Sequence, residues 1–185
     1  MRRASFLMFA SDQSAETRAA PSDAATVERA LRFANIAMFT IALQRRRLRS
    51  VEPEDERFPF RWWADFEFLI TALRRMRRAA ELAAKAPSVR GEIEAAIAAF
   101  DNAVPDLLAM RNVAEHIEDY GVDDPRRRLR DVDRGKLEVS TWGPTVQWLG
   151  RELNVDDAHA AASALLRAMR DVAQAHWPRR QKPQP

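Results

Sequence analysis

Residues 62–80 read WWADFEFLITALRRMRRAA. Trp62, Phe66, Leu69, Leu73, Met76 and Ala80 recur at three- and four-residue steps, which stacks them on one face of an α-helix. Trp63, Phe68 and Ile70 widen the face. Aromatics this dense at helical spacing predict a helix packed into a core. The arc is wider than one partner helix needs, so a subunit interface stays open beside that reading. Pro59 suits a first turn and Pro87 ends the pattern, which predicts a helix over 59–86.

The flanking segments carry the same period. Upstream, Ser22 or Asp23 can cap a helix over 23–49, with Val27, Ala30, Leu31, Ala34, Met38, Ile41 and Ala42 as its stripe. An acidic loop containing Pro53 follows at 50–57. Downstream, a helix is predicted over 88–120, starting at Ser88 and stopped by Gly121. Its stripe is Ile93, Ile97, Phe100 and Val104 before Pro105, then Leu107, Met110, Val113, Ala114 and Ile117 after it. The two halves are out of phase, which predicts a kink at Pro105.

Residues 121–155 break the helical period. The alternating runs 137–140 and 146–149 flank Trp142-Gly143-Pro144 and read as a small β-hairpin. Asp156 can then cap a last helix over 157–176, with Ala161, Ala164, Leu165, Ala168, Met169 and Val172 inward. The fold class is therefore all-α: four helices with a short hairpin insert before the last. The domain is expected over 23–177, between flexible tails at 1–22 and 178–185.

Composition bounds the function. The chain has 185 residues, hydrophobic content of 46%, charged content of 31%, and 5 Gly, as expected of one helical globular domain. The absence of Cys excludes disulfides and thiolate metal sites and suits a reducing, cytoplasmic setting. Arg2-Arg3 before Phe6-Leu7-Met8-Phe9 has the order of a signal peptide, but the apolar run is too short and Asp12 and Glu16 follow it. No segment approaches the roughly 18 apolar residues of a membrane span, so no membrane partner is expected.

The net charge is +3 and the cations are mostly Arg. Arg45-Arg46-Arg47, Arg74-Arg75 with Arg77-Arg78, and Arg126-Arg127-Arg128 with Arg130 could track a phosphate backbone. Solvated helix ends are the plainer reading, and the acidic run Glu52, Glu54, Asp55, Glu56 opposes a uniformly basic surface.

The candidate site is Arg111-Asn112-Val113-Ala114-Glu115-His116. By helical count Arg111, Asn112, Glu115 and His116 fall opposite the apolar stripe. Arg offsets phosphate charge, and His moves protons near neutral pH. Asn112, four before His116, could orient the imidazole, and Arg111 could pair with Glu115. That pairing on a solvated helix, with His116 a surface or interface residue, is the reading without chemistry. His159 suits a capping region, and His176 a helix C-terminus. Glu-x-x-His pairs, a Gly-rich phosphate loop and a Ser-centred hydrolase turn are absent from the sequence, so no metal or cofactor is expected.

Arg111-Asn112-x-x-x-His116 resembles the R-x-x-x-x-H motif of the HEPN superfamily, with its common polar residue after the Arg. Its place late in the third main helix, before a connection and a last helix, is also similar, over roughly residues 22–178. The resemblance implies a helical bundle that forms a homodimer with two motifs in one cleft. It implies a metal-independent endoribonuclease of toxin–antitoxin, phage-defence or RNA-guided systems. His116 would be the general acid or base, Arg111 the phosphate ligand, and Asn112 would hold the imidazole or contact the phosphate. Arg74, Arg75, Arg77, Arg78, Arg126, Arg127 and Arg128 would bind RNA beside them. An antitoxin or regulatory protein is the other implied partner. Position 118 is Glu where some toxins carry a Tyr modified by a partner enzyme, so that regulation is not implied. Glu115, Glu118 and Asp119 place negative charge near the motif, which repels phosphate. A non-catalytic HEPN-like interaction module is the alternative.

Overall fold

The computed structural model describes residues 20–58, 60–116 and 140–178. They form five α-helices and a small antiparallel sheet: α1 (Asp23–Arg49), α2 (Arg61–Ala83), α3 (Arg90–Ala103), α4 (Leu107–Glu115), β1 (Ser140–Trp142), β2 (Thr145–Trp148), β3 (Arg151–Asn154) and α5 (Val155–His176). The sequence-based tails lie almost wholly outside the described residues.

Helix α1 has its predicted bounds, and the Ser22 hydroxyl accepts the Ala25 N–H at 3.3 Å as its cap. It buries Val27, Ala30, Ala34, Ala37 and Ile41, whereas Ala42 of the expected stripe is exposed. Helix α2 is the central element and touches α1, α3, α4 and α5. Phe66, Leu69, Ile70, Leu73 and Met76 are almost wholly removed from water. Phe68 is not part of this core; it is 60% exposed.

Prolines set the breaks. Ala86, before Pro87, is extended, because the pyrrolidine ring disfavours helical backbone in the residue preceding it. A 3-10 turn at Pro87–Val89 then leads into α3, so Arg90 rather than Ser88 starts the α-helix. Ser88 instead donates its N–H and hydroxyl to Asp23 Oδ2, at 3.0 and 2.7 Å, tying this corner to the start of α1. At Pro105 the expected kink is a full break between α3 and α4.

The predicted hairpin is a three-stranded sheet in the order β1-β2-β3; Trp142, expected in the turn, ends β1 and pairs with Thr145, and residues 137–139 of the expected first run lie outside the described residues. The pairing Val146↔Leu153 aligns two inward side chains. Trp148 meets Trp63 of α2 edge-on, with ring centroids 5.0 Å apart. Leu149, expected to extend a strand, lies in the two-residue turn before β3 with φ 60°, beside Gly150 at φ 71°. Helix α5 follows β3 without a loop. Its cap is Asn154, not Asp156: the Asn154 side chain accepts the N–H groups of Asp156 and Asp157 at 2.9 and 3.1 Å. Its inner face carries Ala158, Ala162, Leu165, Leu166 and Met169, and Ala164 of the expected stripe is exposed.

Two charge clusters join helices. Asp65, only 5% exposed on α2, accepts from Arg47 Nε at 2.9 Å and Arg61 Nη1 at 2.7 Å. Arg61 also pairs with Asp55 and donates to the carbonyls of Arg47 and Ser50 at 3.0 and 3.1 Å. At the start of α5, Asp156 accepts from Arg45 and lies 3.3 Å from Arg49. His159 is half-buried beside them; its burial, then the charge on Arg45, hold its pKa below the ordinary value, while Asp156 acts the other way.

Two outcomes are expected. Asp65→Ala removes the carboxylate that Arg47 and Arg61 share, while Arg61 keeps Asp55, and should lower stability by about 1.5–3 kcal/mol in urea unfolding, the scale of lost hydrogen bonds to a charged group. The unfolded chain protonates His159 near its ordinary value of about 6.5, while the folded chain resists down to a lower pH. Stability present above that value is therefore lost as pH falls through it. His159→Gln should flatten the drop in Tm between about pH 7.5 and 5.5. An unchanged slope would remove His159 from the acid response.

Candidate active site at the end of helix α4

Helix α4 is short and its inner face is apolar. Leu107, Met110 and Val113 are buried against the core, and α4 packs on α2. Arg111, Asn112 and Glu115 follow on the other side, as the 3.6-residue period requires.

Arg111 is held on its own helix. Its Nη1 donates to Asn112 Oδ1 at 3.0 Å, and its Nη2 pairs with the Glu115 carboxylate one turn on. The side chain is 19% exposed, and its Nε is buried with no hydrogen-bond partner among the described residues. The guanidinium is therefore fixed at its tip while one N–H remains undirected. Asn112 Oδ1 is engaged by the guanidinium, so its carbonyl serves Arg111 rather than the imidazole.

His116 stands just past the helix. The helix stops at Glu115, short of the expected Tyr120, and His116 is its C-cap with φ −130° and ψ 41°. The His116 backbone N–H donates to the carbonyls of Asn112 and Val113, at 3.1 and 3.3 Å. Its side chain is exposed. The motif thus sets a constrained cation and an accessible imidazole at one helix end. Chemically, that pair can contact an anion and exchange a proton with a group beside it. Ile117 and the acidic Glu118 and Asp119 lie outside the described residues, as do Arg126, Arg127, Arg128 and Arg130.

The run at Arg74–Arg78 does not form one cationic stripe. Arg77 is clamped by Asp101, at 2.6 and 2.8 Å, and by Glu81; the Asp101 hydrogen bonds raise its pKa further. Arg74 Nη1 lies 3.6 Å from Glu81. Both line a cleft at the α3–α4 break with Pro105, Leu107 and Leu108. Arg75 and Arg78 face the other way, onto a groove between α1 and α2. Of the four, only Arg74 and Arg77 border the helix that carries Arg111.

The remaining histidines, His159 and His176, both lie on α5. His176 Nε2 lies 3.0 Å from Glu92 Oε2, linking α5 to α3. Among the described residues, no three His, Asp or Glu side chains gather as a metal-holding group. Sequence reasoning missed a polar cleft between α1 and α5, where Arg170 bonds Asn35 and Trp177 forms one wall. Its residues come from segments 135 positions apart, so no local pattern marks it. No helix among the described residues is long and apolar enough to cross a membrane.

Compared with known proteins, the chain matches no family model, no curated protein and no solved structure.

Proposed function

We propose that this chain is a metal-independent endoribonuclease of HEPN type, acting as a homodimer and serving as a toxin or phage-defence effector. The observation that carries the reading is a constrained Arg111 guanidinium and an exposed His116 side chain at the same end of α4. The four-helix arrangement, with α3 and α4 as its broken third member, is compatible with the bundle that the motif implies.

In this reading two α4 ends face each other across a dimer cleft. One His116 takes the proton from a ribose 2′-hydroxyl, whose oxygen attacks the adjacent phosphorus. The bond to the 5′-oxygen breaks, and the second His116 returns a proton to that leaving oxygen. Arg111 lies against the phosphate and offsets the charge that grows in the transition state. Asn112 acts by holding Arg111. The product ends in a 2′,3′-cyclic phosphate, which makes the reaction specific for RNA. Arg74 borders the same side of the bundle and offers a further phosphate contact.

The Arg111–Glu115 pair favours a second reading, a non-catalytic HEPN-like module that binds an antitoxin or regulatory protein. A cation already neutralised on its own helix attracts phosphate less.

Cleavage of mixed cellular RNA, with and without chelator, tests both. His116→Ala should lower the rate by about 10²–10⁴-fold and Arg111→Ala by about 10²–10³-fold, with helical content unchanged, since neither side chain lies in the core. Wild-type activity should survive the chelator. Glu115→Gln should lower KM by about twofold to fivefold, the scale of an exposed ion pair released to the substrate. A His116→Ala variant that cuts at the wild-type rate would sink the assignment. A wild-type protein inert on RNA would favour the interaction module.

A further inference from the structure

The cleft between α1 and α5 has a volume of about 540 Å³, the size of a small-molecule site. The two helices run antiparallel: Arg45 meets Asp156, Met38 meets Ser163 and Asn35 meets Arg170. Leu31, Ala173 and Trp177 give the cleft apolar walls, while Arg32, Asn35, Arg170 and Gln174 bring polar groups to it. No described residue of α4 lines it, so the cleft is separate from the site at His116.

Three features select its ligand. The first is an oriented cation. Arg170 Nη2 donates to Asn35 Oδ1, and Asn35 Nδ2 in turn donates to the Leu31 carbonyl at 2.7 Å. A neutral amide thus fixes the guanidinium without cancelling its charge, and no carboxylate among the described residues pairs with Arg170. Arg32 is tied only to Glu28, at 2.6 Å, with both side chains largely exposed. An exposed pair of this kind contributes little, so a more highly charged anion can draw Arg32 to itself. The second feature is a fixed ring. Trp177 packs against the core and against the His176 ring, centroids 5.6 Å apart, and His176 lies 3.0 Å from Glu92 of α3. The third is spacing. Arg170, Gln174 and Trp177 share one face of α5, with about 10 Å between the first and the last. The register that sets Asn35 beside Arg170 sets Glu28 opposite Trp177. Cations therefore stand at the inner end of the cleft, and a ring and a carboxylate at the outer end.

We propose that this cleft binds a nucleoside monophosphate. The phosphate lies between Arg170 and Arg32, the ribose hydroxyls meet Asp171 and Gln174, and the base lies on Trp177. Guanidinium groups suit phosphate oxygens, and a carboxylate suits ribose hydroxyls. Glu28, released by Arg32, accepts from a base amino group. A bare anion would leave the ring unused. A wholly apolar ligand would cover Arg170 without a counter-charge, which is unfavourable.

Calorimetric titration of the full chain with AMP, GMP, CMP and UMP tests the proposal. The tightest of the four should bind saturably with Kd below about 1 mM. Arg170→Met should weaken that nucleotide by about 10- to 100-fold and leave its nucleoside unchanged, the scale of lost hydrogen bonds to a charged group. Trp177→Leu should weaken nucleotide and nucleoside alike by about 5- to 100-fold, the scale of lost stacking on an aromatic ring. Trp177→Phe keeps a ring and should keep binding, which separates the role of the ring from that of the fold. A short 5′-phosphorylated RNA, added to the His116→Ala chain so that cleavage does not intervene, distinguishes the source. Tighter binding than the monophosphate assigns the cleft to a strand end, and equal or weaker binding assigns it to a free nucleotide. Absence of saturable binding by all four monophosphates at millimolar concentration would overturn the proposal. An affinity that Arg170→Met leaves unchanged would also overturn it, since the phosphate would then lie elsewhere.

Discussion

Everything at the α1–α2 end depends on one buried carboxylate. Asp65 stands in the middle of the most apolar stretch of the chain, and by composition alone it is out of place there. An ionised carboxylate taken from water must find charge and hydrogen bonds in return. Arg47 supplies one contact from the end of α1 and Arg61 another from the start of α2. Arg61 then reaches the Arg47 and Ser50 carbonyls at the end of α1, where the Arg47 carbonyl also accepts the Ser50 N–H at 3.4 Å. One side chain thus fixes where α1 stops, how the loop turns and where α2 begins. Because α2 touches every other described helix, its angle of entry is transmitted to the rest of the bundle.

The second constraint is Pro105. A merely bent helix would have continued the track of α3. A break lets α4 restart, with Asp106 pairing to Arg151 of β3 and Arg77 gripping Asp101 one turn before the break. These pairs lock both sides of the interruption. The motif helix is then free to set its phase by its own apolar residues, which turns Arg111 outward while Val113 is buried.

Periodicity made the helices legible because burial repeats with the helix. The stripe of α2 from Phe66 to Ala80 and the two stripes flanking Pro105 stand as read, whereas Trp62 is half-buried outside the core, Phe68 is exposed, and Ile117 lies beyond the described residues. What stayed hidden was decided by contacts distant in sequence. Strand β3 carries a single inward apolar residue, Leu153, and runs directly into α5, so alternation had nothing to register. Asn154 out-competed Asp156 as a cap because Asp156 is occupied by Arg45 and Arg49. The i to i+4 pairing of Arg111 with Glu115 was readable from spacing alone. The engagement of Asn112 by Arg111 was not, because neighbours one apart on a helix do not ordinarily face each other. The division of Arg74 and Arg77 from Arg75 and Arg78 follows from which neighbour each side of α2 meets, and that is a tertiary fact.

Leu149 carries a consequence for the order of assembly. A non-glycine residue at φ 60° costs about 1–2 kcal/mol relative to ordinary backbone. Burying a leucine contributes about 1.5–3 kcal/mol, and Leu149 is 1% exposed. The turn is therefore favourable only once the helical core exists to receive that side chain. On this balance the sheet is a poor nucleus for folding, since its tightest bend is disfavoured until the helices have met. It forms as a late clasp, and through Asn154 the first turn of α5 inherits the same timing.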